Sequence, residues 1–489
     1  MTSEPTGAAV PPPGDEAPSL AAIAVPPRTT AEDRRVLEGP IVPTLVRLAA
    51  PAILSMFLYT ALNLVDAFWV GRLGSEPLAA VMTSLFAIWI LYSFADLVAV
   101  GATALVARHV GAGDLPAAGR VAHEAIVLGT IVSIPFVIVG GFGARAIFTF
   151  IGAEPAVVAM GSGYLTICAL AAPIIFTTLV LEAIARAAGD TRRPMHILSA
   201  TLVLNAVLDP FLILGWGPFP AWGVDGAAFA TVIAQTLGLV LFVRLFSRAG
   251  APLRIVRMPL RALRAASLGR ILLIGLPTTL SGILFSFVYL WFSSLAARFG
   301  TGPLAAIGLG NRIESLAYLT AYGVSVATAT MVGQNLGARR PDRAERAAWS
   351  AVGIISAFVT VYAVVLAVFR RPILGLFTGD AAVLEAGEEF LLVLALCIPF
   401  VGPEVVISGA FGGAGNTVPP TVISLPMSLL RIPLAYLLAI VLGWGPRGIW
   451  WTITLTCIVR TVVLAVWFRT NRWKSAGLAA SALGKESTA

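Results

Sequence analysis

The chain has 489 residues, of which 58% are hydrophobic and only 12% charged, with a mean hydropathy of +0.90. A soluble domain carries about 25% charged residues, so the composition excludes a soluble enzyme and points to a polytopic membrane protein. The net charge of +8 is then no nucleic-acid signature, and its distribution along the chain bears on topology instead.

Residues 1–42 differ in kind from the rest. They hold three consecutive prolines at 11–13, a proline pair at 26–27 and a scatter of acids, which predicts a disordered cytoplasmic tail. No basic flank, apolar core and small-residue cleavage site marks a signal peptide there. Apolar runs of about 20 residues or more, long enough to cross a bilayer as helix, then recur. The first six lie near 46–71, 78–107, 122–142, 157–185, 195–215 and 223–246, and form an N-terminal lobe over 43–246. An arginine-rich linker over 247–270 follows. The second six lie near 271–297, 304–335, 347–369, 386–411, 420–443 and 448–468, within a C-terminal lobe over 271–473. A short polar tail, 474–489, ends the chain.

The two halves repeat at one offset. Arg72-Leu-Gly-Ser-Glu-Pro-Leu-Ala-Ala80 returns 226 positions later as Arg298-Phe-Gly-Thr-Gly-Pro-Leu-Ala-Ala306. The same shift pairs Pro51 with Pro277, Gly111 with Gly337, Gly189 with Gly415 and Pro194 with Pro420. A constant offset across separated places signals internal duplication. Six is an even number, so both halves enter the membrane from the same side. The expected architecture is all-α and integral to the membrane: twelve transmembrane helices in two pseudo-symmetric six-helix bundles, a parallel repeat. With the N-terminus inside, lysine and arginine divide 24 to 6 between inner and outer segments, which places both termini in the cytoplasm.

Acids inside apolar spans are costly and mark ion or proton sites by default. Asp66 sits in Leu-Asn-Leu-Val-Asp-Ala-Phe, three residues after Asn63 on one helical face. A polar pair that helps helices pack is the plainer reading of these two. Asn205 and Asp209 lie one turn apart, and Pro210 disturbs the helix beside them. Glu182 precedes Arg186 by four, a spacing at which the two can neutralise one another. Asp96, Glu314 and Glu404 have plainer explanations: a neighbouring helix for Asp96, Arg312 or an interface for Glu314, a proline-freed backbone group for Glu404. At the repeat offset, Asp66 becomes Phe292, Glu182 becomes Ser408, Asn205 becomes Arg431 and Asp209 becomes Ala435. Groups that merely held a bundle together would be needed in both halves, so the first half carries an added task. Cys168, Cys397 and Cys457 and the three histidines form no metal-ligand pattern. No metal, no cofactor and no enzymatic activity is expected.

From Asn63-Leu-Val-Asp-Ala-Phe-Trp-Val-Gly-Arg-Leu-Gly74, Ala107–Asp114, Arg186–Met195, Asn205–Pro210, Gly223–Thr231, Met331–Ala338 and Arg431–Leu438, residues 43–473 resemble the multidrug and toxic compound extrusion (MATE) family. The first-half acids suggest its DinF-type branch. The resemblance implies a two-lobed antiporter of the inner (plasma) membrane, working as a monomer by alternating access. It would export amphiphilic, often cationic, organic compounds against protons or sodium. It implies a cation site at Asp66, Asn205, Asp209 and Thr231, joined by Glu182 where relatives commonly carry Asn. It further implies a substrate cavity touching Tyr59, Asn63 and Tyr164, and bending of the first span, which Pro51 would permit. Close carboxylates in such a site repel, which suits them to hold a proton in common. The alternative is a lipid-linked precursor flippase of the same wider superfamily, which would call for a broad basic groove. A major-facilitator transporter and a membrane enzyme fit less well. The first lacks its usual basic motif and the second lacks a nucleophile or histidine pair.

The topology is testable by labelling. Single cysteines replacing Ser75 and Ser267 are expected to react from opposite faces of the membrane. Reaction of both from one face would overturn the arrangement.

Overall fold

The computed structural model describes residues 31–474, so most of the expected N-terminal tail and nearly all of the C-terminal one lie outside the described residues. A short helix, α1 (Ala31–Glu38), precedes the first half. That half consists of α2 (Ile41–Gly71), α3 (Ser75–Gly111), α4 (Leu115–Ile151), α5 (Pro155–Leu170), α6 (Ala172–Ala187), α7 (Arg192–Leu214) and α8 (Gly223–Ser247). The second half consists of α9 (Ala265–Ala297), α10 (Thr301–Gly337), α11 (Pro341–Gly375), α12 (Ala381–Gly413), α13 (Val418–Tyr436) and α14 (Pro446–Arg469).

Among the described residues, eleven helices are long and apolar enough to cross a membrane, and α5 with α6 makes the twelfth span. The two meet at Ala171 with a bend of 52°. Pro173, in the first turn of α6, supplies no N–H across that junction. Other helix ends follow local chemistry. Asp114 caps α4 by accepting from Ala117 N at 3.0 Å, and Asp380 caps α12 by accepting from Ala382 N at 2.8 Å.

The linker is fastened to the first lobe. His123 Nε2 donates to Met258 O at 3.0 Å. The buried Glu124 carboxylate accepts from Arg264 N at 3.3 Å and from the Ser267 hydroxyl. At the linker end of the bundles, the lobes touch backbone to backbone. A Cβ on Gly111 of α3 would overlap Gln334 O of α10, and one on Gly275 of α9 would overlap Leu97 O of α3. Such small-residue contacts let helices in lipid approach closely. Thr330 Oγ1 donates to Arg186 O at 3.0 Å and Gln334 Nε2 to Ala187 O at 2.9 Å, both across the lobe boundary.

One expectation changes. Residues 31–38, assigned to a disordered tail, form α1, with Val36 only 2% exposed. Guanidinium groups hold its C-terminal carbonyls: Arg340 Nη1 donates to Leu37 O at 2.7 Å, and Arg343 Nη2 to Gly39 O. Those carbonyls have no partner inside the helix, so cationic donors stabilise them. α2 and α7 run through Pro51 and Pro210 as continuous helices.

The close approach at the linker end predicts a sharp difference between two glycines of one helix. Gly275→Ala must push α9 from α3, and overpacking of this kind costs about 1–3 kcal/mol. Gly269→Ala meets open space. Thermal unfolding in detergent is expected to show a lowered midpoint for the first and not the second, and equal midpoints would refute the contact.

Candidate functional site

Three helices of the first lobe, α2, α7 and α8, bring one polar cluster together. Asp66 is 5% exposed, and Asn205 and Asp209 are fully buried. Thr231 Oγ1 donates to Ala227 O at 3.1 Å, the usual back-bond of a threonine in a helix, and lies 3.4 Å from Asp66 Oδ2. Asn205 Nδ2 lies 3.4 Å from Asp209 Oδ1, as their one-turn spacing on α7 dictates. Asp66 and Asp209 are close enough for their charges to act on one another.

The cluster is short of donors. Asp66 Oδ1, Asn205 Oδ1 and Asp209 Oδ2 are buried without a hydrogen-bond partner. Nearly all buried polar atoms in proteins find a partner, so three orphaned oxygens in one cluster call for something positive. Two neighbouring carboxylates in a buried site repel one another unless one of them carries a proton. The same oxygens, with the Thr231 hydroxyl, are also hard donors of the kind a hard cation takes.

The structure does not bring Glu182 into this set, which corrects the expected five-residue cation site. Its Oε1 is held by Arg186 and its Oε2 accepts from Tyr59 OH at 2.7 Å. Tyr59 is thus a partner of Glu182, and Tyr164 is buried at 3% in an apolar cluster with Val70, Cys168 and Ile213. Asn63 is exposed, with Nδ2 donating to Tyr59 O at 3.0 Å. None of the three lines the central cavity.

That cavity, of about 400 Å³, lies between the halves and draws most of its wall from the second lobe. Asp96 of α3 and Arg186 of α6 face it from the first lobe; Glu314, Glu404, Arg431 and Arg460 face it from the second. Glu404 and Arg460 pair at 2.6 Å. Glu314 turns to the cavity while Arg312 is exposed, so these two do not pair. Asp96 likewise fronts the cavity rather than bonding a neighbouring helix. The charged second-lobe wall has no signature in spacing, because its members come from α10, α12, α13 and α14. The arginine replacing Asn205 at the repeat offset was its only visible sign.

Comparison with known proteins agrees with the duplication. The MatE family model matches twice, over residues 51–211 and 277–437. The chain is 28% identical to an FAD transporter of Shewanella oneidensis over 82% of this chain and 89% of that protein. It is 27% identical to the probable multidrug resistance protein NorM of Thermotoga maritima, covering 88% and 92%. Among solved structures it superposes with a TM-score of 0.83, at 26% identity and over 92% and 99% of the two chains, on a MOP superfamily transporter from Pyrococcus furiosus. That transporter is described by a reversed polarity of its binding pocket, suggesting a different function.

The Glu182–Arg186 pair predicts a non-additive response. Arg186→Met strands a carboxylate that is 2% exposed, at a cost of ~3–5 kcal/mol. Adding Glu182→Gln removes both charges and is expected to restore most of the lost thermal stability in detergent. A double variant as unstable as the sum of the singles would show that the two are uncoupled.

Proposed function

The chain belongs to the MatE family, and on that footing we propose that this transporter is a secondary antiporter exporting amphiphilic organic compounds in exchange for protons. Similarity to a multidrug resistance protein and to an FAD transporter supports the export of organic molecules. The observation that carries the coupling is the set of three orphaned oxygens on Asp66, Asn205 and Asp209. Asp66 and Asp209 bring two carboxylates to this cluster, more acid than one monovalent ion needs, which favours the proton over sodium. The first-half acids also carry the placement in the DinF-type branch.

The proposed setting is the inner membrane, with a monomeric protein whose termini and linker are cytoplasmic. The closed linker end is then the outward-facing half of the cycle. A proton from the acidic outside settles in the cluster and is lost inside, where cargo loads. Pro51 donates no helix hydrogen bond, so α2 has a soft point roughly four turns from Asp66 at which the cluster's protonation biases its shape. The cavity balances three acids with three arginines, which gives no support to a basic groove for a lipid pyrophosphate.

Reconstituted liposomes test this reading. Asp66→Asn and Asp209→Asn are each expected to abolish uphill export while leaving a folded, membrane-inserted protein. Substrate binding is expected to weaken as pH falls and the cluster fills with protons. Export driven by sodium with the proton gradient collapsed would overturn proton coupling, and full export by both variants would overturn the site.

A further inference from the structure

The repeat places a guanidinium where the first lobe gathers oxygens. At the shared offset, Asp66, Asn205, Asp209 and Thr231 correspond to Phe292, Arg431, Ala435 and Cys457. The second lobe therefore lacks the carboxylates of that position and carries a fixed positive charge instead.

Arg431 lines the central cavity and is only 3% exposed. Its Nε donates to Thr456 Oγ1 at 2.8 Å, and that hydroxyl in turn donates to Thr452 O at 2.7 Å. The guanidinium plane is thus fixed from behind. Its Nη1 is buried without a partner. No carboxylate among the described residues forms an ion pair with it, since Glu404 is taken by Arg460 at 2.6 Å. Glu314 shares the cavity and feels the Arg431 charge without reaching it. A buried, unpaired guanidinium is costly, and its fork of donors matches the two oxygens of a carboxylate.

We propose that Arg431 is the receptor for a carboxylate on the cargo, and that this cavity takes amphiphilic zwitterions. The cationic part of such a molecule would face Asp96 and Glu314, the cavity acids that form no ion pair among the described residues. This deepens the proposed export function and rests on it.

A matched pair of fluorescent probes tests it: a rhodamine free acid, which is a zwitterion at neutral pH, and its methyl ester, which is a cation. Binding to the purified protein in nanodiscs is expected to favour the acid by about ten-fold, the worth of one charge-assisted hydrogen bond. Arg431→Gln is expected to erase that preference, and Arg431→Lys, which keeps the charge without the fork, to retain part of it. Thr456→Val, which releases the guanidinium, should reduce the preference without altering cavity charge. Equal affinities in the unmodified protein, or a preference that survives in Arg431→Gln or is unchanged in Thr456→Val, would overturn the assignment. Failure of the unmodified protein to export the ester under an imposed gradient would instead count against the export reading.

Discussion

Ionised groups are expensive in the middle of a bilayer, and the chain answers that cost differently at each place it meets it. Glu182 is closed off by Arg186 and Tyr59, and Glu404 by Arg460. Each of those carboxylates thus has a cationic partner, and on the guanidinium side only Arg460 Nε is left buried without an acceptor. Asp66, Asn205 and Asp209 are not complete, because three of their oxygens have no donor. Arg431 is incomplete in the opposite sense, with a donor lacking an acceptor. Incomplete polar groups thus occur in both lobes, and among them Asn205 and Arg431 occupy repeat-related positions.

Duplication explains why the architecture survives while the chemistry diverges. Backbone contacts depend on small residues, and Gly111 and Gly337 occupy equivalent positions on α3 and α10, each packed against the other helix's carbonyl. That reciprocal contact needs both copies, so both keep it. The polar cluster needs only one copy, which leaves the second free to replace Asn205 by Arg431 and Asp209 by Ala435. Symmetry of packing and asymmetry of charge are thus compatible, because they reside in different atoms of the same helices.

What was legible in the sequence was whatever lies within one helix or follows the repeat. The twelve spans are hydrophobic runs, and the pairings of Glu182 with Arg186 and of Asn205 with Asp209 are four-residue spacings that put side chains on one face. Arg312 and Glu314 are only two apart and diverge, one exposed and the other toward the cavity. The Glu404–Arg460 pair joins α12 to α14, and no spacing encodes it. α1 was missed because its anchor comes from Arg340, 303 positions away, rather than from its own composition. Its few apolar residues suffice because Val36 is buried where the helices converge.

The separation of the two incomplete sites constrains any coupling between them. Neither Asp66, Asn205, Asp209 nor Thr231 lines the central cavity, and the cavity's charged residues form no hydrogen bond with that cluster. Ion and cargo that shared atoms could compete directly, each displacing the other. With no shared atoms, exchange requires an element whose position both sites bias. Two elements qualify by contact. α2 carries Asp66, and through Tyr59 it holds Glu182, whose partner Arg186 is part of the cavity wall. α6 carries Glu182 and Arg186, and through the Arg186 and Ala187 carbonyls it grips α10 at the closed linker end. In the proposed exchange, a change of charge at Asp66 that shifted α2 would act first on the Tyr59–Glu182 bond, then on the Arg186 guanidinium in the cavity. It would reach the lobe contact at the Arg186 and Ala187 carbonyls of α6. The same short helix that meets its neighbour at 52° is thus where cluster, cavity and closure come within reach of one another.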